Sequence, residues 1–229
     1  PDSLTPIYKN RYTMLSKWKN ADFTGALELW NVVGMQSGEL APIPIERLAR
    51  AEMLAYNGSI ESEREIERLL HDRPTEAAAM RAVYLLLHAQ RKTGTEQLRA
   101  ALQRYRGDPW PHPLPMLRTL SVLQVRDASD SALLPLWLEA LARPFALRVN
   151  ESARDRARMR LAYALGANHP ACVPVFESFE PYPPWNESML EFRADCYASH
   201  ENPLRDQAAQ DVQRFREAAP VQLERLLAR

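Results

Sequence analysis

Glycine is scarce in this chain, 7 of 229 residues, and no stretch alternates apolar and polar residues at period two for long enough to build a strand. Together these absences argue against a sheet and for an all-α protein. Long hydrophobic runs are missing as well. The longest, LLPLWLEALA at 133–142, falls well short of the roughly 18 to 20 apolar residues that cross a bilayer, so no membrane span is expected. Charge of one sign is not in excess either. Lys plus Arg and Asp plus Glu each number 29, a balance that argues against nucleic acid as the partner, because a phosphate backbone demands a basic surplus. Readers of one RNA base per helical repeat need a polar code recurring at fixed positions, and none recurs here.

Catalytic signatures are lacking too. The chain has no glycine-rich phosphate cradle, no H-E-x-x-H and no G-x-S-x-G elbow. Glu177, Glu180, Glu187 and Glu191 cluster near a proline-rich loop, but they read as solvated carboxylates rather than as an acid and base pair. No cofactor and no enzymatic activity are expected.

What the sequence does contain is a repeated punctuation. Leu85 to Tyr105 reads as a helix, a turn at Gly94 and a second amphipathic helix. Leu98, Ala101, Leu102 and Tyr105 recur at i, i+3, i+4 and i+7 on one stripe of that second helix, leaving Arg99 and Arg104 to solvent. Steps of about 36 residues from Gly94 reach Gly58 and Ala21 on one side and Asp130, Gly166 and Asn202 on the other, all small or turn-forming residues. Prolines fall between these positions: Pro42 and Pro44, Pro74, the run Pro109 to Pro115, Pro144, the run Pro181 to Pro184, and Pro220. Proline lacks an amide donor and clashes with the preceding turn, so each is expected to close a helix. The pattern predicts a right-handed α-solenoid of about six helix-turn-helix repeats within a single domain, 1–229. Pro174 is expected to bend the second helix of the fifth repeat, and the segment after Pro220 is expected to form a C-terminal capping helix.

Asp22, Phe23, Ala26 and Trp30 follow the first predicted turn as an acidic residue, an aromatic, a small residue and a large one. In this order the segment resembles the second helix of a tetratricopeptide repeat. The resemblance is architectural. It implies stacked αα hairpins with a concave binding face and carries no specific ligand.

In such a stack the first helix of each repeat lines the concave face. Aligning repeats on their turns places Arg81, Tyr84, His88 and Arg91 there, then Gln124, then Arg156, Arg160 and Tyr163. Arginine offers a planar fork that matches carboxylate, which predicts capture of an extended acidic or carboxylate-bearing peptide. The plainer alternative is that these arginines solvate helix faces or form weak surface ion pairs.

Two cysteines complete the inventory. Helices meeting near residue 184 bring positions equidistant from that turn face to face, pairing Cys172 with Cys196 and His169 with His200. Three readings stand: two reduced thiols packed as small hydrophobes, a disulfide implying an oxidising and so extracytoplasmic or periplasmic compartment, or a zinc site of His169, Cys172, Cys196 and His200. Reduced thiols would suit the cytoplasm. Two functional classes follow. One is a non-enzymatic protein-interaction scaffold; the other is an accessory helical-repeat domain of a larger enzyme or cell-envelope protein, which a first residue other than Met mildly favours.

Overall fold

The computed structural model of the chain describes residues 6–36, 42–88, 90–123 and 132–227. Among these residues the regular structure is helical, with no strand. The helices are α1 (Pro6–Lys19), α2 (Phe23–Gln36), α3 (Pro44–Tyr56), α4 (Ser62–Leu69), α5 (Pro74–Leu87), α6 (Arg91–Gly107), α7 (Pro113–Ser121), α8 (Leu134–Leu141), α9 (Glu151–Leu165), α10 (Cys172–Glu177), α11 (Glu187–Ser199) and α12 (Arg205–Leu227). Neighbours in sequence pack as pairs, α1 on α2, α3 on α4, α5 on α6 and α11 on α12, giving the all-α helical-repeat fold that the spacing predicts. Contacts gather in two compact units: 1–122 with 143–153, and 123–142 with 154–229.

In the first unit Met14, Trp18, Ala26, Ala49 and Met53 form a core between α1, α2 and α3. A second cluster, Leu48, Ala51, Ala55, Ile66, Leu69, Ala77 and Met80, joins α3, α4 and α5. The alanines matter as much as the large residues: Ala49, Ala51, Ala55 and Ala77 are fully buried, and their small side chains let the backbones approach. Leu98, Ala101, Leu102 and Tyr105 are all fully buried along α6, as the predicted stripe requires. Each such large apolar side chain contributes about 1.5 to 3 kcal/mol.

Three predicted turns are built on left-handed backbone, with Ala21 at φ 62°, Gly58 at φ 69° and Gly166 at φ 89°. Asn202 lies between α11 and α12, and Asp130 lies outside the described residues. Gly94 is a correction. The α5–α6 connection comes earlier, and Gly94 sits inside α6, where an added Cβ would lie 2.8 Å from the Leu86 amide nitrogen. This glycine serves a close approach of two helices rather than a turn.

The prolines also need correction. Pro44, Pro74 and Pro113 open α3, α5 and α7 at the first position, where the missing N–H has no intrahelical acceptor to lose. Pro174 occupies the first turn of the six-residue α10, so it bends no longer helix. Pro220 lies within α12, which continues to Leu227. The segment after it is therefore part of α12 rather than a separate capping helix, the lost hydrogen bond being tolerated in a helix of 23 residues.

Candidate functional site

The residues assigned to the concave face meet different fates. In the first unit, Arg81 donates to the Glu67 carboxylate at 2.8 Å. Tyr84 and His88 pack ring to ring at 5.2 Å, and the His88 ring also contacts the Ala55 carbonyl at 3.3 Å and lies against the left-handed Gly58. Arg91 is half-buried and engaged. Most of this set is committed to holding the repeat together. Gln124 lies outside the described residues.

In the second unit the picture differs. On α9 the alternating arginines divide by helical phase. Arg154 and Arg158 are buried; Arg154 donates to the Leu141 carbonyl at 2.6 Å, and Arg158 donates to Ser178 Oγ at 3.0 Å and to the Pro174 carbonyl at 3.3 Å. Arg156 and Arg160 face solvent, with no ion pair to any described residue. Tyr163 is 55% exposed and braced by Phe192 at a ring distance of 5.0 Å. These three follow at i, i+4 and i+7, so the helix presents them on one face.

A buried polar network in the first unit has no counterpart among the residues singled out by spacing. Glu52 of α3 is almost fully enclosed. Its Oε2 accepts from the Trp18 indole at 2.6 Å and from Arg118 Nη1 at 2.6 Å. Arg118 Nη2 donates to the Trp18 and Lys19 carbonyls at the end of α1, while the guanidinium lies 5.1 Å over both the Trp18 and Phe23 rings. One arginine of α7 thus ties α1, α2 and α3 together. Burial pushes the Glu52 carboxyl up to about 7, against the opposing pull of Arg118 and Trp18. Nearby, burial and the charges of Arg73 and Arg118 lower the His112 pKa. By joining α1, α2, α3 and α7 through one buried ion pair, the network acts as a helix clamp.

A second clamp sits in the second unit. Arg193 of α11 is fully buried and donates to Glu180 at 2.7 Å and to Asp211 of α12 at 2.9 Å. Tyr197 OH donates to the same Glu180 oxygen at 3.0 Å. Beside it Cys172 and Cys196 form a disulfide. With both sulfurs bonded, neither is a thiolate ligand. His169 Nδ1 accepts from the Ala171 amide at 3.2 Å, and among the described residues no group of three or more His, Cys, Asp or Glu is placed to hold a metal. Glu180, read as a solvated carboxylate, is instead a partner of a buried arginine. No family model, curated protein or solved structure matches the chain.

Proposed function

We propose that this chain is a non-enzymatic protein-interaction scaffold that holds an extended, carboxylate-bearing partner segment, with Arg156, Arg160 and Tyr163 of α9 as its contact face. The observation that supports the reading is that both guanidiniums are exposed and without an ion pair among the described residues, one helical turn apart, beside a tyrosine held by Phe192. A guanidinium not spent on an internal carboxylate is available to an external one, and the fork geometry favours a bidentate contact. The braced ring offers apolar surface at low conformational cost. The succession of packed helix pairs agrees with a scaffold role, in which rigid helices present a surface and the partner supplies the extended chain. The disulfide supports an oxidising, extracytoplasmic setting.

The test is equilibrium binding of a fluorescein-labelled glutamate-rich peptide to the full chain. Binding is expected to weaken with salt and to be lost in the double variant Arg156→Glu and Arg160→Glu. The variant's stability is expected to stay within about 0.5 kcal/mol of the parent, as for exposed substitutions generally. Equal binding by the double variant would overturn the reading.

A further inference from the structure

A cleft of about 430 Å³ in the first unit, walled by α2, α3 and α4, brings together Trp30, Arg47, Arg50, Glu65, Arg68 and Leu69. Its volume is in the range of sites that take small molecules or one or two residues of a peptide. Its charges are unevenly spent. Arg68 donates to Glu65 Oε1 at 2.7 Å, and the same oxygen lies 3.5 Å from Arg50 and 3.9 Å from Arg64. One carboxylate oxygen cannot satisfy three guanidiniums. The other anion beside Arg50, Glu61, is 3.6 Å away with its side chain 54% exposed, beyond a good hydrogen bond. Asp72 at the rim is occupied by His71 at 2.7 Å.

Arg50 is therefore under-used. Its Nε is buried with no hydrogen-bond partner among the described residues, and its guanidinium lies 5.3 Å over the Trp30 ring, which holds the cation against the indole. Arg47 beside it is exposed and makes no ion pair with a described residue, although, after the His71 hydrogen bond, its charge helps to hold the rim carboxyl of Asp72 below its ordinary pKa. The surplus donors converge next to an apolar wall of Trp30 and Leu69.

We propose that this cleft binds a carboxylate carried on an apolar group, the carboxylate received by Arg50 and Arg47 and the apolar group seated against Trp30 and Leu69. The chemistry is that of an N-acylated apolar amino acid, met either as a free small molecule or as the carboxyl end of a peptide. The guanidinium fork matches two carboxylate oxygens at once, and the indole supplies both the apolar surface and a face on which the cation is held. This site is separate from the α9 face, and neither depends on the other.

The experiment is an NMR titration of the full chain with N-acetyl-leucine and, separately, with N-acetyl-leucinamide. Saturable shifts with the acid and none with the amide are expected. Arg50→Lys keeps charge and stem but removes the fork, and is expected to weaken binding of the acid by about tenfold, the order of one bidentate contact. Trp30→Ala is expected to weaken it as well, with the helical circular dichroism retained. The double variant Arg156→Glu and Arg160→Glu should bind N-acetyl-leucine as the parent does, which keeps failure of the α9 reading distinct. A peptide ending in leucine that binds more tightly than N-acetyl-leucine would mark a chain end as the natural ligand; equal affinity would mark the free acid. Equal binding of acid and amide, unchanged binding in Arg50→Lys, or no saturable shift with the acid would overturn the proposal.

Discussion

The Cα atoms of Cys172 and Cys196 lie 6.2 Å apart with their sulfurs joined, so a covalent bond fastens the six-residue α10 to α11. α10 is too short to persist without tertiary support, and the bond supplies it beside the buried Arg193. Crosslinking across a sequence separation of 24 is worth about 3 to 4 kcal/mol in the loop-entropy model. Replacing both cysteines by serine should lower the denaturation free energy by that order, with hydrogen exchange rising first in α10 and α11. Thiol titration of the unfolded, unreduced protein should find no free thiol. Two titratable thiols without a reductant would refute the pairing.

Glu52 makes stability depend on pH with a defined sign. Its folded pKa of about 7 exceeds the ordinary 4.5 because burial disfavours the charged form. Between those values the folded chain keeps a proton that the unfolded chain has released. Its contribution to stability therefore falls as pH rises from about 4.5 to about 7 and is level above, a span of about 3 kcal/mol at most. Denaturant unfolding at pH 5 and pH 8 measures this, and Glu52→Gln should remove that part of the slope. An unchanged slope in Glu52→Gln would place the titration elsewhere.

The same network predicts non-additivity. Arg118→Met strips Glu52 of its cation and takes one donor from each of the Trp18 and Lys19 carbonyls, and should cost about 3 to 5 kcal/mol, the usual result of breaking a buried pair. Adding Glu52→Met removes the orphaned carboxyl and should recover much of the loss. A double variant as unstable as the sum of the two single variants would mean that the pair is not coupled.

The all-α class and most of the turns were legible because their causes are local. Gly58 and Gly166 adopt left-handed backbone, and Pro44, Pro74 and Pro113 open helices, all properties of one residue and its neighbours. The errors arise where one residue type answers two causes. Glycine marks a turn or a close approach, and Gly94 is the second; proline stops a helix or starts one, and Pro44, Pro74 and Pro113 start theirs. The α9 arginines look like one charge run in sequence, yet helical phase buries Arg154 and Arg158 and exposes Arg156 and Arg160. The buried pair shares Asp155 of its own helix, at 2.9 Å from Arg154 and 3.6 Å from Arg158. It also donates to the Leu141 and Pro174 carbonyls and the Ser178 hydroxyl, partners that leave no charge pattern to read. The α2–α3–α4 cleft and the Glu52–Arg118 clamp join residues from three or more helices, and no spacing within one helix announces either.

Two helical glycines should respond to alanine with opposite signs. At Gly34 in α2 an added Cβ meets nothing within 4 Å, so Gly34→Ala removes backbone freedom from the unfolded chain at no steric cost. It should stabilise by about 0.5 to 1 kcal/mol. At Gly94 the Cβ would lie 2.8 Å from the Leu86 amide nitrogen and 3.1 Å from the Leu85 carbonyl carbon. These are backbone atoms of a packed helix, which cannot rotate aside as a side chain would, so α6 must move off α5. Overpacking of this kind costs about 1 to 3 kcal/mol, enough to reverse the gain in helix propensity. Thermal unfolding of the two single variants decides the point: a higher midpoint for Gly34→Ala with a lower one for Gly94→Ala is expected. Stabilisation by both would mean that α5 and α6 are not in close contact at Gly94.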